Sequence, residues 1–199
     1  MRKIIAAILI VGLIASLYFY YSSATKKLNL EAQQSKIKIS EATILPKIKE
    51  NRDEILNDLR VLQQNPDQLA EFNCLLTKVL YSGTITDEDI KLLLNFQREY
   101  YTKQTIEKNP EQANYERLQT EINEYRNAKV SIIGYKIVGP QYVDVAKDEK
   151  ELIIFNAIYY LNITSDQGDV FKGYVFEQNK DKLWELKGFG TIEDFAVVH

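Results

Sequence analysis

The sequence predicts an α+β protein, in which an N-terminal transmembrane helix precedes three to four helices packed on a curved antiparallel β-meander. Three observations predict it. An uncharged apolar stretch opens the chain, apolar residues then recur at helical spacing, and from about residue 129 apolar and polar residues alternate. Because the helices come before the strands and do not alternate with them, an α+β class is favoured over α/β.

The apolar stretch Ile4–Tyr21 reads IIAAILIVGLIASLYFYY and contains no charge. As a helix it would span about 27 Å, close to the roughly 30 Å hydrocarbon thickness of a bilayer. Ser22 and Ala24 would suit a signal peptidase, but signal-peptide apolar regions are usually shorter, about 7–15 residues. We therefore predict an uncleaved anchor over 1–24 with the lipid bilayer as its partner, a tether over 25–40, and one domain over 41–199.

The charges beside the anchor decide its orientation poorly, because Arg2 and Lys3 on one side balance Lys26 and Lys27 on the other. A short N-terminus ahead of a first apolar segment usually stays in the cytoplasm. The expected location is the cell membrane, in a single-pass topology with the domain on the extracytoplasmic side.

Helices are predicted over 41–128. One stripe of apolar residues indicates a first helix from 41 to about 62, and Asn65-Pro66-Asp67-Gln68 provides a cap and a proline for the second. Thr86 caps the third, ahead of three acidic residues that favour the helix dipole. Asn109-Pro110-Glu111-Gln112 is expected to start the fourth in the same way as the second.

Strands are predicted over 130–138, 151–164, 170–178 and Leu183–Phe189, within a sheet region of 129–190. The short turns between successive strands require antiparallel pairing. Ile153, Phe155, Ala157 and Tyr159 share one face of the second strand, and this face is expected to pack on the helices.

Composition excludes several functions. The net charge is −3 and residues 1–27 carry +4, so the remainder carries −7, which is unsuited to nucleic acid. The single cysteine, Cys74, lies in an apolar helix and is expected to be a buried, inert thiol. The single histidine, His199, is the last residue, which leaves no base for serine or cysteine catalysis and no usual zinc ligands. No metal or cofactor is expected.

Four stretches in order carry a resemblance to a known family: Lys78-Val79-Leu80-Tyr81, Thr86-Asp87-Glu88-Asp89-Ile90, Leu118-Gln119-Thr120-Glu121-Ile122-Asn123-Glu124-Tyr125 and Lys182-Leu183-Trp184-Glu185-Leu186-Lys187-Gly188-Phe189. Over about 69–189 the chain resembles an uncharacterised family of small membrane-anchored proteins from anaerobic Firmicutes, a domain of unknown function. The order of elements also resembles the NTF2-like (cystatin-like) cone. The resemblance implies a fold and no activity, because such folds host enzymes and binding modules alike.

Aromatic side chains supply the candidate ligand pocket. The cone would have an open mouth, where aromatic rings can hold a small ligand or a peptide. The alternative is that tyrosine simply suits half-buried strands. The candidate pocket residues are Tyr125, Tyr135, Tyr159, Tyr160, Tyr174 and Trp184.

These observations favour a membrane-tethered, extracytoplasmic, non-enzymatic binding or scaffold module whose protein partner the sequence does not identify. One alternative is a small-ligand enzyme of hydrolase or isomerase type that uses carboxylates and tyrosines in the cone. Its strand acids would be Glu177 and Glu185, and it requires at least one of them to be buried on an inward face. Another alternative is an accessory or immunity protein of a secretion system.

Overall fold

A computed structural model of the chain describes residues 39–143, 151–162 and 169–191. The described residues fall within one compact unit, Ile39–His199. The predicted anchor over 1–24 and nearly all of the tether lie outside them. Within the described ranges, no helix has both the length and the apolar character needed to cross a bilayer.

The described chain contains six α-helices and four strands, which confirms the α+β class. The prediction of three to four helices was too low. A single-turn 3₁₀ helix, Arg98–Tyr100, follows the fourth α-helix. The α-helices are α1 Glu41–Glu50, α2 Arg52–Leu62, α3 Pro66–Leu80, α4 Asp87–Gln97, α5 Lys103–Lys108 and α6 Glu111–Asn127.

The first predicted helix is divided into α1 and α2 by Asn51, whose backbone leaves the helical region at φ −134° and ψ 55°. Asparagine competes with helical hydrogen bonds and so favours a break. The break does not interrupt the apolar stripe, because Ile44, Ile48, Ile55 and Leu59 are all buried. The apolar stripe alone therefore predicted one continuous helix where the structure has two.

Two of the predicted helix starts are confirmed. The Asn65 side chain accepts hydrogen bonds from the backbone N–H groups of Asp67 (3.0 Å) and Gln68 (3.3 Å). Thr86 accepts from the backbone of Asp89 at 3.2 Å. The third expectation was wrong in its detail: α6 is preceded by Pro110 and has no side-chain cap, and Asn109 instead donates to the carbonyl of Thr105 (2.9 Å) at the end of α5.

The sheet is an antiparallel meander in the order β1-β2-β3-β4, as the short turns predicted. Its register places Tyr135 opposite Tyr159, Phe155 opposite Tyr174, and Tyr174 opposite Phe189. The predicted inward face of β2 is buried along its length. The strands are β1 Ile132–Val143, β2 Leu152–Leu161, β3 Val170–Gln178 and β4 Trp184–Thr191.

The segment between α4 and α5 lies along the free edge of β4. Tyr101 forms a parallel bridge with Leu186, whose carbonyl accepts from the backbone N–H of Thr102 at 2.9 Å. The Thr105 hydroxyl donates to the carbonyl of Lys187 at 2.6 Å. These bonds satisfy edge groups that would otherwise be open to another strand. They also bring the Tyr101 ring to 6.2 Å from the ring of Phe189.

Candidate functional site

A cavity of about 320 Å³ lies between the helices and the β3–β4 side of the sheet. This volume is at the lower end of the roughly 300–1,000 Å³ typical of small-molecule sites. Helices α3, α4 and α6 contribute to its wall together with the two strands. Its lining residues are Asn73, Thr77, Leu80, Tyr81, Leu94, Gln97, Tyr101, Asn114, Arg117, Leu118, Glu121, Lys172, Tyr174, Leu186, Phe189 and Gly190.

Two buried side-chain amides line this cavity without a full set of hydrogen bonds. Asn73 is 1% exposed and Asn114 is 5% exposed. The Oδ1 of Asn73 accepts from the Tyr100 hydroxyl at 2.8 Å, and the Oδ1 of Asn114 accepts from Arg117 at 2.8 Å. The Nδ2 groups of both asparagines have no partner among the described residues. Two residues of the cavity wall therefore each carry a buried N–H donor that has no partner among the described residues.

Three charged side chains also line the cavity. Arg117, on the exposed side of α6, contacts only the amide oxygens of Asn114 and Asn109 and forms no ion pair within the described ranges. Lys172 of β3 is half-buried and also forms no ion pair within the described ranges. Glu121, one turn beyond Arg117, lies beside Tyr81. Burial, and after it this carboxylate, raises the pKa of Tyr81 far above its usual range.

The rest of the wall is apolar and aromatic. Leu80, Leu94 and Leu186 are buried, whereas Phe189 keeps 40% of its surface exposed. The Phe189 ring therefore reaches from the cavity to solvent. Burial raises the pKa of Tyr101 well above its usual range, so its hydroxyl stays protonated at neutral pH. The cavity is amphipathic, with apolar and aromatic walls, two unused amide donors and two cations.

The six aromatic residues singled out in the sequence are not brought together around this cavity. Tyr174 lines it directly. The Tyr159 hydroxyl is 2.7 Å from that of Tyr174, behind the cavity wall, and the Tyr125 ring packs edge-on against Tyr81 at 5.0 Å.

The other three lie farther from the cavity. Tyr135 donates to Glu71 of α3 at 2.8 Å. Tyr160 is exposed, on the sheet face opposite Tyr159. The backbone of buried Trp184 exchanges hydrogen bonds with Gln63, accepting from its side chain at 3.2 Å and donating to its carbonyl at 2.8 Å.

The residues that sequence reasoning missed are helical and polar: Asn73, Asn114 and Arg117. Asn73 carried a signal, because it occupies a core position in α3 between Phe72 and Cys74, where an amide is costly unless it has a purpose. Asn114 and Arg117 carried none, since α6 is polar over most of its length and its buried face is narrow.

The two strand acids considered for catalysis do not line this cavity. Glu177 is buried and pairs with Lys187 at 2.6 Å, and Glu185 accepts from Asn179 at 2.6 Å. Both border a separate polar depression beside α5, together with Thr102 and Glu107. The acid in the cavity is Glu121, so a carboxylate–tyrosine enzyme would depend on it. The described residues contain no cluster of three potential metal ligands.

Cys74 lies on α3 behind the cavity wall, where it is 1% exposed. Burial raises the pKa of its thiol to about 12, so the thiolate is not populated at neutral pH. The expected burial of this cysteine is confirmed, and its inertness stays a prediction.

Fold and site together define a class: an α+β domain that holds an amphipathic cavity between its helices and one side of an antiparallel meander. The chain belongs to the family described as Domain of unknown function (DUF6715), which matches residues 1–189. No curated protein and no solved structure shows significant similarity to it.

Proposed function

We propose that this protein is a non-enzymatic binding module, tethered to the membrane by Ile4–Tyr21, whose extracytoplasmic domain takes a small ligand into its cavity. One observation carries the proposal: Asn73 and Asn114, both more than nine-tenths buried, line the same cavity, and the Nδ2 donor of each has no partner among the described residues. A bound ligand could supply the hydrogen-bond acceptors that these donors lack.

Energetics favours this interpretation over a purely structural one. A buried polar group without a hydrogen bond costs about 1–3 kcal/mol, a large share of a domain's net stability of roughly 5–15 kcal/mol. A leucine at Asn114 would fill the same space without that cost. Residues that reduce stability in this way are typical of binding sites, where function is retained at the expense of stability.

Sequence patterns support the other parts of the proposal. The uncharged length of Ile4–Tyr21 supports the tether. The NTF2-like cone also belongs to the proposal. It is supported by the order of helices before a meander and by burial of one sheet face against them.

Cavity filling tests the binding function. Leu118→Trp places a large ring in the cavity, and Leu92→Trp makes the same change at a half-buried position of α4 outside it. Ligand-observed NMR with the full chain in lipid nanodiscs would screen a set of neutral, cationic and anionic aromatic fragments. We expect binders that lose their signal with Leu118→Trp and keep it with Leu92→Trp. No binder, or equal binding to both variants, would overturn the proposal.

Alkaline extraction and thiol labelling test the tether. The full chain should stay in the membrane pellet at high pH, whereas a chain lacking 1–24 should not. In a Cys74→Ser background, Lys136→Cys provides an exposed thiol on β1. An impermeant maleimide should label it in intact cells if the domain is extracytoplasmic. Labelling only after permeabilisation would place the domain in the cytoplasm.

A further inference from the structure

We infer that the ligand of this cavity is a monocarboxylate carried on an apolar or aromatic body. The inference rests on the proposed binding function and specifies its ligand class. It is drawn from the hydrogen-bonding groups, the charges and the apolar surface of the cavity wall.

The wall contains acceptors as well as donors, since Glu121 and several hydroxyls line it, but its buried unpaired groups are donors. The unused groups of Asn73 and Asn114 are N–H donors, and the carbonyl oxygens of both amides are already engaged. Arg117 and Lys172 add only donors, because neither side chain has an acceptor atom. A ligand that satisfies this wall must itself present acceptors. A carboxylate has two oxygens that accept and no donor, which matches the set.

Arg117 and Asn114 form one donor corner on α6. The Arg117 guanidinium donates to the Asn114 oxygen at 2.8 Å and to the Asn109 oxygen at 3.4 Å. This guanidinium pairs with no carboxylate among the described residues. A planar guanidinium binds a carboxylate through two parallel hydrogen bonds, a geometry that lysine cannot reproduce. We place the ligand carboxylate at this corner, where the Asn114 Nδ2 group is also unused.

The charge of the lining favours a single negative charge. Two cations, Arg117 and Lys172, face one carboxylate, Glu121, which leaves a surplus of one positive charge. A monoanion neutralises that surplus. A phosphate near −2 would exceed it and would lie close to Glu121, one helical turn from Arg117, where like charges repel.

The remaining lining defines the body of the ligand. Tyr101 and Phe189 face each other with ring centroids 6.2 Å apart, and the side chain of Leu186 lines the cavity with them. Phe189 and Arg117 both reach solvent, which marks this side as the entrance. An apolar or aromatic group would pack against the rings while the carboxylate reaches the Arg117 corner.

A matched series of probes tests the inference. The probes are 4-phenylbutyrate, 4-phenylbutanol, 4-phenylbutylamine and 3-phenylpropyl phosphate, titrated by calorimetry into the full chain in nanodiscs. We expect 4-phenylbutyrate to bind about tenfold or more tightly than the other three. The alcohol and the amine lack its two charge-assisted hydrogen bonds, and the phosphate carries a second negative charge that Glu121 repels. Empty nanodiscs measure the partition of each probe into lipid.

Variants of Arg117 test whether the preference for 4-phenylbutyrate depends on the donor corner formed by Arg117 and Asn114. Arg117→Gln should remove most of the advantage of 4-phenylbutyrate over 4-phenylbutanol, and Arg117→Lys should restore only part of it. Arg60→Gln removes the same charge from an exposed position on α2 and should change nothing.

The outcomes separate this inference from the proposed function. If the alcohol, the amine or the phosphate binds as tightly as the carboxylate, the monocarboxylate class is wrong and the binding function stands. If Arg117→Gln and Arg60→Gln behave alike, the corner does not hold the carboxylate. If no probe binds and the fragment screen also finds no binder, the proposed function fails as well.

Discussion

The two halves of the helix–sheet interface differ in how their polar groups are used. In the closed half, α3 packs on β1 and β2, and Leu76, Phe155 and Tyr159 there are nearly inaccessible to solvent. The hydroxyls there are paired: Tyr159 with Tyr174 at 2.7 Å, and Tyr135 with Glu71 at 2.8 Å. In the open half, the cavity lies between α6 and β3–β4, and two buried amides have unused donors.

The closed half accounts for stability and the open half for the proposed function. Both halves place tyrosines at the inner surface of the helices and sheet. The difference lies in the amides, because Asn73 and Asn114 line the open half and the Nδ2 group of each has no partner among the described residues. The unused groups thus mark the binding surface better than aromatic content does.

Thiol accessibility should give the largest contrast between the halves. Cys74 lies in the closed half with a raised pKa, so a thiol reagent should reach it only through substantial unfolding. A cysteine at Leu118 in a Cys74→Ser background lines the open half. We expect Cys74 to react at least about 1,000-fold more slowly at pH 8, given domain stabilities of roughly 5–15 kcal/mol.

The unfolded chains in urea provide the control, since both thiols should then react at similar rates. Native rates within tenfold of each other would show that the closed half opens readily.

The next largest contrast should be in the stability lost when a residue of each half is replaced by alanine. Phe155→Ala removes a fully buried ring from the closed half and should lower the free energy of unfolding by about 3–5 kcal/mol. Leu118→Ala, at a half-buried position that already lines a cavity, should cost about 1 kcal/mol or less. Chemical denaturation measures both, and similar losses would contradict the division into halves.

Asn73 connects the halves, because it lines the cavity while its oxygen accepts from buried Tyr100. Asn73→Leu leaves the Tyr100 hydroxyl without an acceptor and should destabilise the protein by about 1–3 kcal/mol. Adding Tyr100→Phe should recover most of that loss, since both partners are then apolar. A double-mutant cycle with no coupling would show that this hydrogen bond is unimportant.

A smaller effect concerns the polar contacts that hold α6 over the cavity. Asp87 of α4 accepts from Arg126 at 3.0 Å and from Gln119 at 2.8 Å, and these bonds hold the pKa of its carboxyl below its usual range. Since the folded pKa is depressed, the stabilisation is complete above about pH 4 and is lost as the pH falls through the folded pKa.

The wild type should therefore lose more stability than Asp87→Asn between pH 5 and pH 2.5, and added salt should reduce the difference. Denaturation curves across this range measure it. Identical pH profiles would mean that this pair does not hold α6 in place.

Much of the fold could be predicted from the sequence. The two-residue period located all four strands, and the side-chain caps of Asn65 and Thr86 marked two helix starts. The period could not locate the break at Asn51, because the apolar stripe continues across it. Helix α5 has six residues, Lys103–Lys108, too few to show a period.

The candidate site could be predicted only in part. Tyr174, one of the six aromatic candidates, lines the cavity, because strand alternation predicts which face a residue occupies. Asn114 and Arg117 depend on how α6 lies over β3 and β4, a tertiary arrangement that no local pattern encodes. The tyrosine content predicted a site mostly on the strands, whereas the unused donors of Asn73 and Asn114 are on helices.

Asn114→Leu tests the central claim most directly, because one substitution should separate stability from binding. We predict a free energy of unfolding raised by about 1 kcal/mol, since the substitution removes the unpaired Nδ2 group, and the exposed Arg117 that loses the Asn114 oxygen can bind water instead. The same variant should bind 4-phenylbutyrate at least about tenfold more weakly. A less stable protein that binds the probe as tightly as the wild type would contradict the account.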